Sequence, residues 1–169
     1  MSRWRPGIPA FNVMDHDQAR SRLLTCLDVP RWADEVLAAR PYDNLDQLED
    51  RMSASAATLT DEELAAALAR HPRIGERADS GKHEAAFSES EQSSVDREDA
   101  EIARRLAEGN QAYEARFDRV FIIRAAGRDG REILDLLRLR MDNSDELERA
   151  ETVHQLTQIA LLRIREVLS

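Results

Sequence analysis

The stretch "VHQLTQIALLRIREV", Val153 to Val167, decides the fold class. Its apolar residues Val153, Leu156, Ala160, Ile164 and Val167 follow at steps of three and four, the period of one helix face and not of a strand. The same period recurs upstream in Ala19, Leu23 and Leu27, in Leu64 and Leu68, and in Ile133, Leu134, Leu137 and Met141. Strand alternation hardly appears. Capping boxes are spelled at Thr60 to Glu63, Ser88 to Glu91 and Asn143 to Glu146, and Pro30 and Pro41 break the early helices. These signals predict an all-α, single-domain helical bundle of about seven to nine helices. "VFIIRAAG", Val120 to Gly127, stands apart: its β-branched and aromatic residues suit an extended segment or a buried helical turn, and periodicity does not choose between them.

Composition narrows the function. A chain of 169 residues, 42% hydrophobic and 34% charged, suits one soluble globular domain over 1–169. The formal charge of -9 argues against a nucleic-acid partner, which requires a basic stripe to neutralise phosphates. Cys26 is the one cysteine, so no intramolecular disulfide forms; Leu23, Leu24 and Leu27 around it predict a buried thiol and a reducing cytoplasm. The sequence contains no apolar run of the ~18 residues a membrane helix needs, no signal-peptide core, and no peroxisomal address at its C-terminus. Neither membrane nor nucleic acid is therefore an expected partner. Internal repeats are absent, and "RADSGKHEAAF", Arg77 to Phe87, reads as a surface loop too short to link domains.

The segment after that loop carries polar residues on an apolar face. In a helix running unbroken from Ser88 to about Phe117, Glu91, Val95, Ile102, Leu106, Asn110, Tyr113 and Phe117 share one side. A carboxylate, an amide and a phenol turned inward each need hydrogen-bond partners. Glu91 and Asn110 are therefore candidates for a polar pocket, although Ser88-x-x-Glu91 also reads as a plain capping box.

In "LAAALARHPRIGER", Leu64 to Arg77, His71 precedes Pro72, and proline drives the residue before it out of the helical region. An imidazole there either complements the negative helix end or, on a stiffened corner, projects into a cleft as a group that titrates near neutrality. His16 and His83 read as surface residues, His154 lies beside the apolar stripe of the last helix, and none makes a metal-ligand spacing with His71.

"HPRIGE" (His71 to Glu76), "SESEQ" (Ser88 to Gln92), "NQAYEARF" (Asn110 to Phe117) and "FIIRA" (Phe121 to Ala125) together resemble the 2-oxo-4-hydroxy-4-carboxy-5-ureidoimidazoline (OHCU) decarboxylase family of urate degradation. Their order and spacing carry the resemblance, with weaker matches at Trp32, Arg40–Pro41, "RMDN" (Arg140 to Asn143) and the "LLR" ending at Arg163. It implies an all-helical, cofactor-free enzyme, a homodimer, acting on a small molecule. By position, His71 matches the family's proton-handling histidine and Glu91 its catalytic glutamate. Pro72, Ser88 and Gln92 match substrate contacts; Phe121, Ile122, Ile123, Arg124 and Ala125 match the run whose backbone lines the ring site, and Arg163 a late basic residue. No metal is implied. Two departures stand out: many members have Gly and Pro between the tyrosine segment and the apolar run, where "FDRVF" has neither, and Arg124 replaces a small or apolar residue.

The implied substrate bears a hydroxyl and a carboxylate on one ring carbon, beside a C=N bond that accepts the electrons released by departing CO2. Such a substrate needs no external electron sink. Two other readings remain open at this level: a metal-dependent hydrolase built from His71, His83, Glu84 and Glu91, and a non-catalytic acidic helical interaction domain.

Overall fold

Helix starts are set by small polar side chains that satisfy otherwise unpaired backbone N–H groups. The computed structural model describes residues 7–74 and 97–169 and contains, among them, eight helices and no strand. The all-α expectation holds in its class and its number of helices. The helices are α1 (Gly7–Val13), α2 (His16–Cys26), α3 (Pro30–Ala38), α4 (Leu45–Ala56), α5 (Asp61–Leu68), α6 (Arg97–Phe117), α7 (Gly130–Arg140) and α8 (Asp145–Leu168). Asp15 caps α2, Asn44 caps α4 and Asp129 caps α7. Thr60 and Glu63 form the reciprocal box at α5 that their spacing predicts. Pro30 opens α3 from its first turn, where a missing N–H costs nothing. One cap differs from the expectation. The Ser144 hydroxyl, not Asn143, accepts from the Leu147 N–H at 3.2 Å, because the Asn143 amide is engaged by Glu148. The segment Ser88 to Val95, expected to begin α6, lies outside the described residues.

The chain divides into two compact units. The first comprises residues up to Arg70 together with Val153–Ser169. Its core holds Phe11, Leu23, Cys26, Trp32, Val36, Leu48, Met52, Leu156 and Ile164, each 1% exposed or less. Trp32 Nε1 donates to the Met52 carbonyl at 3.0 Å, giving the largest buried ring its needed acceptor. Arg165 grips Glu49 through two nitrogens, at 2.6 and 3.0 Å, tying α8 to α4.

The second unit, His71–Thr152, packs α6 against α7 around Leu106, Tyr113, Phe117, Phe121, Ile123, Ile133, Leu134 and Leu137. Gly109 permits the close approach: a Cβ there would meet Leu137 Cδ2 at 3.1 Å. α6 ends at Asp118, whose φ of 54° lies in the left-handed region that normally favours glycine. Asp tolerates this conformation better than most residues, and the chain turns there without a glycine. Val120 to Ala125 follows as irregular backbone, neither helix nor paired strand, which excludes the buried helical turn.

Asp118→Gly is expected to be neutral or stabilising by up to about 1 kcal/mol, while Asp118→Val, β-branched in the same conformation, should cost more than about 1 kcal/mol. Denaturant unfolding of the two variants side by side checks the sign of each.

Candidate active site

The corner after α5 is a product of helix termination. α5 stops at Leu68 with Ala69 as its cap, and the Ala69 and Arg70 N–H groups bond back to the Ala65 and Ala67 carbonyls. His71 therefore lies beyond the cap, half-buried, and is not the residue that closes the helix. Two interactions hold the backbone just after it. Asn110 Nδ2 donates to the Ile74 carbonyl at 2.8 Å, and Arg73 donates from Nε and, at 3.1 Å, from Nη2 to the Glu114 carboxylate. The inward-facing amide expected on this helix face is thus real: Asn110 is 3% exposed. Its Oδ1 finds no hydrogen-bond partner among the described residues. A cleft of about 320 Å³ opens here, walled by Arg73, Ile74, Ala103, Ala107, Asn110, Gln111 and Glu114.

Ile74 also packs against the cluster that contains Phe121 and Ile123, so the corner and the predicted ring-binding run meet one core. Within the run, Phe121, Ile122 and Ile123 are buried, Arg124 is half-buried and Ala125 exposed. Three of its carbonyls are engaged internally: Ile122 by Arg140 Nη1 at 2.7 Å, Arg124 by Arg128 Nε at 3.1 Å, and Ala125 by the Arg128 N–H at 3.1 Å. Among the described residues, no hydrogen bond engages the backbone of Phe121 or Ile123. Buried backbone groups are nearly always paired, so these two residues stand out within the run.

Beneath the run lies a polar network absent from the sequence-based candidates. Glu148, fully buried, accepts from the Tyr113 hydroxyl at 2.6 Å, from Arg140 Nε at 2.7 Å and from Asn143 Nδ2 at 3.0 Å. Arg140 is 6% exposed and its guanidinium sits 4.6 Å from the Phe121 ring centre. Burial first, and the Glu148 carboxylate second, push the Tyr113 phenol up to about 12. A sequence signal did exist. Glu148, Thr152, Leu156, Ala160, Ile164 and Leu168 recur every four residues and are all buried, so Glu148 continues the apolar stripe of α8 one turn at a time.

Arg163 belongs to the first unit, where its Nη1 donates to the Thr25 carbonyl at 3.1 Å, near the end of α2. It also faces Cys26, whose thiol burial raises to about 11 while Arg163 opposes the rise. Glu91, Ser88 and Gln92 lie outside the described residues, as do His83 and Glu84. His16 is exposed, as expected, and so is His154. Among the described residues no group of three or more His, Cys, Asp and Glu side chains is arranged for a metal, and no helix is long and apolar enough to cross a membrane.

The sequence matches OHCU decarboxylase as a family over residues 12–165, which takes in the His71 corner, α6, the Phe121–Ala125 run and Arg163. The chain belongs to that family. Its members are carboxy-lyases, and its all-α architecture is the one built above from helix periodicity. Two solved structures share the fold. One is an (S)-allantoin synthase, with a TM-score of 0.72 and 17% identity over 96% of this chain and 54% of that one. The other is an OHCU decarboxylase crystallised in the presence of (S)-allantoin, with a TM-score of 0.70 and 20% identity over 92% of this chain and 99% of that one. The chain thus spans about half the length of the first and nearly all of the second. No curated protein sequence matches it.

The raised Tyr113 phenol has a defined pH consequence. Because its folded value of about 12 lies above the ordinary ~10, its contribution to stability is complete below pH ~10 and is lost as pH rises through 12. Tyr113→Phe should cost about 1–2 kcal/mol at pH 7, by removing a donor from a buried carboxylate, and should flatten the fall in stability above pH ~10. Equilibrium unfolding from pH 8 to 11.5 measures both effects.

Proposed function

We propose that this chain decarboxylates 2-oxo-4-hydroxy-4-carboxy-5-ureidoimidazoline to (S)-allantoin and CO2, with 1–169 acting as one catalytic domain in a cytoplasmic homodimer. The observation that carries the reading is the family match across 12–165, which contains both the His71–Pro72 corner and the Phe121–Ala125 run. The partner is a small molecule, and the net charge of -9 provides no phosphate-binding face for a nucleic acid.

The chemistry asks little of the protein beyond placement and proton transfer. As the bond to the carboxylate breaks, its electron pair forms a C=C bond with the neighbouring ring carbon, and the electrons of the former C=N bond move to nitrogen, which takes a proton. The resulting enediol-like intermediate loses its hydroxyl proton as the carbonyl forms, and the ureido-bearing carbon gains a proton. Delivery to one face sets one hand of the product. His71, on its proline-stiffened corner, is the group proposed to handle these protons. Glu91 either accepts from the ureido N–H groups or fixes the imidazole tautomer. The unpaired backbone groups of Phe121 and Ile123 are suited to the ring amides, while Pro72, Ser88, Gln92 and Arg163 complete the proposed substrate contacts. The reaction needs no cofactor, because the substrate's C=N bond is the electron sink.

The deciding experiment supplies freshly generated substrate and follows optically active allantoin by circular dichroism; a rate equal to the uncatalysed one would end this reading. In the same assay His71→Ala should lower turnover by ~10²–10⁴ without unfolding the protein. Glu91→Gln separates a cap from a catalytic carboxylate, since glutamine also serves in a capping box. We expect kcat/KM to fall at least roughly tenfold, the worth of a charge-assisted bond, with stability changed by less than ~1 kcal/mol. A variant that melts earlier but turns over normally would reduce Glu91 to a helix cap.

A further inference from the structure

Arg140 and Glu148 are 6% and 0% exposed, inside a unit whose other core residues are largely apolar. Such a pair is a poor stabiliser, because the cost of desolvating two charges consumes most of their attraction, and apolar replacements are often neutral or better. The guanidinium does something an apolar side chain cannot. Its Nη1 holds the Ile122 carbonyl at 2.7 Å while its Cζ lies over the Phe121 ring, 4.6 Å from the ring centre, so one side chain grips two successive residues of a run that has no helical or ladder bonds of its own. Glu148 fixes the guanidinium in turn through Nε at 2.7 Å, and is itself steadied by Tyr113 and Asn143.

We propose that Arg140, held by Glu148, is a positioning residue for the reaction: it sets the Ile122 peptide and thereby the direction in which the adjoining Phe121 and Ile123 backbone groups meet the substrate ring. This rests on the reading above that the run lines the ring site. Arginine is needed because its planar fork presents diverging donors to a carboxylate and a carbonyl at once and stacks on an aromatic ring, which a lysine ammonium does not reproduce.

Arg140→Lys tests it, with Leu106→Val as a variant of the same core that is destabilised to a similar degree but leaves Arg140, Glu148 and the Ile122 carbonyl in place. Arg140→Lys should lower kcat/KM by about tenfold to a hundredfold, the effect of a misplacement of about an ångström, with the pH profile unchanged because no proton-handling group is altered. The Ile122 and Ile123 δ-methyl NMR signals should broaden while that of Ile164 stays sharp. Leu106→Val should keep native kcat/KM. Asn143→Ala, which loosens Glu148 from a half-exposed position, should lower kcat/KM in the same direction by a smaller factor, and covers the case in which Arg140→Lys does not fold. Native kcat/KM with sharp methyl signals in Arg140→Lys, native kcat/KM in Asn143→Ala, or an equal loss in Leu106→Val would each overturn the proposal. An inactive wild-type protein would instead overturn the decarboxylase reading and the run's link to substrate; the methyl signals alone would then still report whether Arg140 orders the run.

Discussion

A single carboxylate, that of Glu148, organises the second unit. Buried without any contact with water, it must be satisfied entirely by protein donors, and it draws them from three elements: Tyr113 on α6, Arg140 on α7 and Asn143 in the turn before α8. The interaction is directional, so it fixes where these elements stand in rotation as well as in separation. The apolar cluster around it supplies most of the burial free energy but tolerates sliding; the hydrogen-bonded charge does not.

Two consequences follow for the site. Arg140, once committed to Glu148, still has donors to spend and reaches the Ile122 carbonyl, so a stretch lacking regular secondary structure acquires a defined path. The entrance to that stretch depends on Asp118, which adopts the left-handed conformation at the end of α6. The same helix supports the histidine corner: Asn110 and Glu114, one turn apart, hold Ile74 and Arg73 immediately after His71 and Pro72. α6 thus carries on one face the bonds that hold the histidine corner, and at its C-terminal end the turn into the run.

Much of this was legible in the sequence. The three- and four-residue spacing of apolar side chains specified an all-helical chain, because burying one face of a helix imposes that period wherever the helix packs. Local chemistry likewise specified the Thr60–Glu63 box, the start of α3 at Pro30 and the buried Cys26, since each depends on residues within a turn of one another. The stripe through Asn110 and Tyr113 announced inward-facing polar groups that needed partners, and both proved buried. Family membership, carried by four short motifs in order, could be read before any fold was known.

What those residues pair with was settled only by the tertiary structure. That Asn110 bonds Ile74, that Tyr113 and Arg140 share Glu148, and that Ser144 replaces Asn143 as a cap because the asparagine is drawn to the same carboxylate all depend on groups far apart in the chain. The path of Val120 to Ala125 was undecidable from periodicity, because a short apolar run reads alike as strand or helix; a distant guanidinium and a left-handed Asp118 decided it. The sequence alone determines which faces are apolar and which backbone ends are capped, since these are local energies. Which polar groups meet inside depends on desolvation and direction in three dimensions, and only the packed chain decides that.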